Sequence, residues 1–131
     1  MILLDENIIL SQRNQLRQWR IHFSVVGINV GYRGMQDEDE IIPILHKFSK
    51  STFFTRDHDF YKKDFLHKKY RIVVLNVDKD EVAEYIRFFL RHPEFKTKAK
   101  RMSRVTMVSP SGIHCWQTNA EAEQFIEWVD R

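Results

Sequence analysis

Ile2-Leu3-Leu4-Asp5-Glu6 opens the chain with an unbroken apolar run that ends in two acids. Such a run suits a strand buried on both faces, as in a parallel sheet, whose polar end emerges at the sheet edge. Open α/β sheets place their ligand sites at that edge. Ser11 is a candidate cap for a helix carrying Leu16 and Trp19, and Ile21-His22-Phe23-Ser24-Val25-Val26 then alternates before stopping at Gly27. Gly27, Gly31 and Gly34 mark a loop, after which Ile41, Ile42, Leu45 and Phe48 recur at helical spacing. Pro43 lacks an amide hydrogen and is tolerated in a helix's first turn, so this helix is expected to begin near Asp39 or Glu40. Phe53-Phe54-Thr55 and Ile72-Val73-Val74-Leu75 read as third and fourth strands, and strands alternating with helices imply parallel βαβ units.

Val82, Tyr85, Ile86, Phe89 and Leu90 predict an amphipathic helix, capped by Asp78 or Asp80 and stopped before Pro93. Beyond it Arg91, Lys96, Lys98, Lys100, Arg101 and Arg104 face a single acid, Glu94, a run that could bind RNA or an acidic antitoxin segment, although a solvated helix is the commoner explanation. Residues 104–108 and 113–117 form an expected hairpin around Ser109-Pro110-Ser111-Gly112. Ala122, Phe125, Ile126 and Val129, at helical spacing after Thr118 or Asn119, predict a packed terminal helix.

The 131 residues fit one domain, with 43% hydrophobic and 30% charged residues and only 4 Gly and 3 Pro, so collagen-like and disordered classes are disfavoured. No repeat or linker divides the chain, which is expected to be a single domain over 1–131, with a core in 1–90 and an extension in 91–131 packed on it. A net charge of +3 permits a polyanionic partner without demanding one. The single Cys115, the absence of a signal-like start and the shortness of every apolar run predict a cytoplasmic protein with no membrane association.

Three acidic clusters stand at element ends: Asp5 with Glu6, the run Asp37-Glu38-Asp39-Glu40, and Asp57 with Asp59. Carboxylates brought together repel unless a cation neutralises them, and hard oxygen ligands suit Mg²⁺ or Mn²⁺. Such an ion can activate water and stabilise the oxygens of an in-line phosphodiester displacement, which is nuclease chemistry. Singly, the helix-start run could merely complement the helix macrodipole, and Asp57 and Asp59 could be turn residues. Two acids ending a buried strand are an odd choice for packing, and the coincidence of three clusters carries the metal reading. Arg33, Arg56, Lys62, Lys63, Lys68 and Lys69 lie near these clusters and could contact phosphate, although a solvated face explains the lysines as well. His58, between two acids, more often points away than ligates, and Cys115 reads as a strand residue.

Three stretches together resemble the small PIN-like nucleases: Ile2-Leu3-Leu4-Asp5-Glu6-Asn7, then Gly31-Tyr32-Arg33-Gly34 leading to Asp37-Glu38-Asp39-Glu40-Ile41-Ile42, then Phe54-Thr55-Arg56-Asp57-His58-Asp59-Phe60. The likeness covers residues 1–76. It implies a three-layer α/β fold with a mostly parallel central sheet flanked by helices, here followed by the hairpin and terminal helix. It further implies a Mg²⁺- or Mn²⁺-dependent endoribonuclease that cleaves single-stranded RNA, the toxin of a toxin-antitoxin pair. The implied partners are RNA and a small antitoxin protein, with a second copy of the chain a further candidate. Carried over by position, Asp5 is the first ligand, Asp57 and Asp59 the final pair, and one helix-start acid supplies the remaining carboxylate. Counting from Gly34 selects Asp37, whereas counting back from the apolar helix face selects Glu38 or Asp39; Glu6 is ancillary. Arg33, Arg56, Lys62 and Lys63 would hold substrate. Pro43 departs from the family's smoother helix, and residues 11–20 carry no acid.

A phosphoacceptor receiver domain would also place acids after the first and third strands. It would need a hydroxyl residue ending the fourth strand and a lysine before the proline after the fifth, and the sequence has neither. A catalytically inactive PIN-like module that only binds nucleic acid or protein is the alternative, and it predicts no metal dependence.

Overall fold

The structure is a computed structural model that describes all residues except Arg33, Met35, Gln36, Asp37, Ser49, Asn119, Asp130 and Arg131, and excludes the side chains of Glu38 and Lys98. The expected site residues Arg33 and Asp37, and the side chain of Glu38, therefore lie outside the described residues, as does the candidate cap Asn119.

In chain order the elements are β1 (Ile2–Leu4), α1 (Leu10–Gln18), β2 (Ser24–Val25), α2 (Glu38–Lys47), β3 (Ser51–Thr55), β4 (Tyr70–Leu75), α3 (Val82–Arg91), α4 (Lys98–Arg101), β5 (Arg104–Ser109), β6 (Gly112–Gln117) and β7 (Gln124–Ile126). Short 3-10 turns at His58–Phe60, Lys63–Phe65 and Lys79–Glu81 connect them. One seven-stranded sheet runs in the order β2-β1-β3-β4-β5-β6-β7. β1 pairs in parallel with β2 and β3, and β3-β4 and β4-β5 are parallel too; β6 and β7 continue antiparallel. The chain steps outward from β1 to β2, then returns across β1 to β3, so the winding reverses between β1 and β3. A crevice opens outside the carboxyl ends of the strands at such a reversal.

The unbroken apolar strands are explained by helices on both sheet faces. Alternate residues divide between two cores: Leu4, Phe54, Val73 and Leu75 pack with Leu16 of α1 and Ile86 and Phe89 of α3, while Leu3, Phe53, Ile72 and Val74 pack with Ile41 and Leu45 of α2. All six residues of β4 are buried, as its β-branched Ile72, Val73 and Val74 require. Among the described residues no helix is long and apolar enough to cross a membrane.

Several local expectations are corrected. The terminal helix is replaced by β7, which pairs antiparallel with β6 through Ile113↔Ile126 and His114↔Phe125. The spacing of Ala122, Phe125, Ile126 and Val129 is not used as a helical face: Phe125 and Val129 are exposed, while Ile126 and Trp128 pack on the core. The backbone of β6 offers a free edge that strand pairing satisfies. Thr118 accordingly caps no helix and instead donates its hydroxyl to the Ser103 carbonyl at 3.4 Å. α1 is entered through Ile9 without a side-chain cap, so Ser11 lies inside it. α2 begins at Glu38, which puts Pro43 beyond its first turn. The second strand shrinks to two residues, and α3 is approached through the turn Lys79–Glu81 with no capping bond from Asp78. Within the basic run Arg91 ends α3 and only Lys98–Arg101 form a further helical turn, whose last residue, Arg101, is buried.

Candidate active site

Asp5 follows β1 directly and still belongs to the ladder, its N–H donating to the Phe54 carbonyl at 2.9 Å. That bond holds its carboxyl inside the sheet edge, where the residue is only 4% exposed. β3 is buried along its whole length and ends in Thr55. The Thr55 hydroxyl donates to Asp5 Oδ2 at 2.6 Å and accepts the backbone N–H of Asp57 at 3.0 Å and the Asn7 amide at 3.4 Å. One hydroxyl thus knits the ends of β1 and β3 together across the reversal.

Asp57 caps the turn that follows β3, its Oδ1 accepting the Asp59 N–H at 2.9 Å. Asp5, Glu6, Asn7 and Asp57 line a cleft of about 380 Å³. Burial pushes the Asp5 carboxyl above the usual carboxylate range; the Thr55 hydrogen bond opposes this and the nearby Asp57 charge adds to it. Glu6 reaches across the loop before α2, where its Oε1 accepts the Gly34 N–H at 2.9 Å. Gly27 makes room for it, since a Cβ there would overlap the Glu6 carboxylate, and Gly27 sits at a φ of 94° that favours glycine.

The arrangement separates the expected ligands. Asp5 and Asp57 share the cleft, with Glu6 at its wall. Asp59 is exposed, does not line the cleft, and contributes its backbone to Asp57. Asp39 is an exposed residue of α2's first turn. Among the described residues no three His, Cys, Asp or Glu side chains form a group that could hold a metal ion. The donor set nevertheless fits Mg²⁺ or Mn²⁺, because Mg²⁺ keeps several waters and is commonly held by one or two carboxylates together with substrate phosphate. A buried carboxylate beside a second one, with an amide oxygen at the same wall, supplies hard oxygen ligands at moderate number.

Of the expected cations, Arg56 is beside the site: its N–H approaches Asn7 Oδ1 at 3.4 Å and its Nη2 donates to the Val77 carbonyl at 3.3 Å. Lys62 and Lys63 lie over Phe65 and Trp116, at 5.4 and 5.1 Å from the ring centres, and do not line the cleft. His58 is exposed in the turn between Asp57 and Asp59. Sequence reasoning gave no role to Thr55 or Asn7. A hydroxyl directly after the apolar pair Phe53-Phe54 was the available signal for Thr55, since a buried hydroxyl needs a partner.

Neither a protein-family model, nor a curated protein, nor a solved structure matches this chain.

Proposed function

We propose that the protein is a Mg²⁺- or Mn²⁺-dependent endoribonuclease of the PIN-like kind, acting on single-stranded RNA in the cytoplasm as the toxin of a toxin-antitoxin pair. The observation that carries this reading is the juxtaposition of Asp5 and Asp57 in one cleft at the carboxyl ends of adjacent parallel strands. A buried carboxyl beside another carboxylate is costly as a structural device, and a divalent cation offsets that cost. Asp5 and Asp57 would hold the ion, with Glu6 and the helix-start acid Asp37 as further oxygen donors and Asp59 steadying Asp57. When bound, the ion lowers the pKa of water and offsets charge on phosphodiester oxygens. Thr55 fixes the Asp5 carboxylate in one orientation, and Asn7 adds an amide at the cleft wall. Arg56, whose backbone N–H reaches Asn7 at the cleft wall, would grip a phosphate, and Lys62 and Lys63 would add contacts to the RNA backbone, as would Arg33, which lies outside the described residues.

The test incubates purified protein, freed of any antitoxin, with mixed single-stranded RNA in Mn²⁺, Mg²⁺ or EDTA and maps the product ends. Water attack leaves 5′-phosphate and 3′-hydroxyl ends and stops in EDTA. Cyclic phosphate ends formed equally well in EDTA would eliminate the metal mechanism. Absence of cleavage with both ions, alongside retained RNA binding, would favour the binding-only alternative.

A further inference from the structure

At the opposite end of the sheet three arginines converge, with fewer acids than arginines in reach among the described residues. Arg71 lies on β4 with its side chain fully buried. Arg71 precedes Ile72 and Arg104 precedes Val105, and Ile72 and Val105 are in register, so the two arginines are neighbours on one face of adjacent parallel strands. Their guanidinium carbons stand 5.6 and 5.0 Å from the centre of the same Phe95 ring. The third, Arg101, donates through Nη1 to the Phe95 carbonyl at 3.0 Å and through Nε to Thr52 Oγ1 at 3.1 Å.

The hydrogen bonding of this cluster is incomplete. Arg71 spends Nη1 on Thr106 Oγ1 at 2.7 Å, but its Nε and Nη2 are buried with no partner among the described residues, as is Nη1 of Arg104. Among the described residues the only carboxylate in ion-pair reach is Glu94, 3.6 Å from Arg104 Nη2 with a side chain 54% exposed. Cys115 supplies no counter-charge, because burial pushes its thiol up and keeps it protonated at neutral pH. A guanidinium cannot escape by deprotonation as a lysine can, so orphaned donors of this kind call for an acceptor. Buried arginine forks match tetrahedral oxyanions.

We infer that Arg71, Arg101 and Arg104 form an anion site for a phosphate group, free or as the terminal phosphate of an RNA, entered beside Arg104 where its guanidinium now pairs with Glu94. Two orphaned donors on Arg71 and one on Arg104 would receive its oxygens, and Glu94 would be displaced. The site lies at the amino ends of β4 and β5, across the sheet from the Asp5 cleft, and does not depend on the nuclease reading.

The experiment follows thermal unfolding of the intact protein, without divalent metal, in inorganic phosphate against sodium chloride of equal ionic strength. It is repeated with an oligoribonucleotide carrying a 5′-phosphate or a 5′-hydroxyl. Phosphate should raise the midpoint progressively beyond chloride, since a ligand binding only the folded state stabilises it by mass action. Arg71→Met and Arg104→Gln should each weaken binding about tenfold or more, the loss expected for a charge-assisted hydrogen bond. Arg104 is near the surface, so Arg104→Gln serves if Arg71→Met fails to fold. Glu94→Gln should tighten phosphate binding by removing the competing carboxylate, and Arg20→Ala, in a separate surface pocket, should leave it unchanged. A shift with only the 5′-phosphorylated oligonucleotide assigns the phosphate to an RNA end; a shift with inorganic phosphate alone assigns it to a free ion. No shift beyond chloride with any of these, or a shift retained in both arginine variants, overturns the site.

Discussion

Thr55 Oγ1 donates to Asp5 Oδ2 across 2.6 Å, tying the last residue of β3 to the residue that follows β1. Both residues are buried, so water competes weakly for this bond. Thr55→Val keeps the shape but leaves the Asp5 carboxyl short of a partner, at a cost of about 1 to 3 kcal/mol of stability. Thr55→Ser retains the hydroxyl and should lose much less. Chemical denaturation of the two variants beside the wild type checks the contrast, and equal stability of valine and serine variants would contradict the proposed bond.

The raised pKa of Asp5 sets a direction for pH dependence. A carboxyl whose folded pKa lies above its unfolded value contributes stability that is present below the unfolded pKa and lost as pH rises through the folded one. At pH 7 the wild type therefore carries the cost of a buried carboxylate. Asp5→Asn, which is neutral at every pH, should unfold at a higher temperature than wild type at pH 7, and the gap should close as pH falls toward 4. Mg²⁺ or Mn²⁺ should raise the wild-type midpoint but not that of Asp5→Asn. A variant less stable than wild type at pH 7 without metal would contradict the sign.

Glu6 depends on Gly27 in a way that can be separated from Asp5. Any side chain at Gly27 meets the Glu6 carboxylate and must also adopt a positive φ. Gly27→Ala should cost on the order of 1 to 3 kcal/mol. Adding Glu6→Ala to it should recover the steric part, so the double variant should be more stable than the sum of the single effects predicts. Strict additivity in a double-mutant cycle would show that backbone strain alone is responsible.

The strands of the parallel sheet were legible because Leu3 and Leu4, or Ile72 and Val73, must all be apolar when both faces are covered. The meeting of Asp5 and Asp57 was legible for a related reason: acids directly after such strands have nowhere to go but the sheet edge. Glu6 leaning on Gly27 was not legible, because the two are joined only through the crossover from β1 to β2. Arg71 was hidden too, since an arginine at the start of an apolar strand reads as an exposed strand end. Phe125, Ile126 and Val129 misled because their spacing fits a helix, whereas the open edge of β6, a tertiary feature, decided for a strand.

Residues 91–131 carry the last prediction. β5 lies between β4 and β6, so its hydrogen bonding depends on a strand from the first part of the chain. Thr52 on β3 accepts from Arg101, and Trp128 packs on Tyr85 and Phe88 of α3 while its Nε1 donates to the Ser109 carbonyl at 2.7 Å. A fragment of residues 91–131 loses the partners of β5, Arg101 and Trp128 at once, and units of about 40 residues rarely fold without disulfides or metals. It should give a disordered circular dichroism spectrum and no thermal transition. Residues 1–90 alone would bare the edge of β4 and should aggregate. Mixing the two fragments should restore a cooperative transition. A cooperative melt from residues 91–131 by themselves would show that the segment is an independent domain.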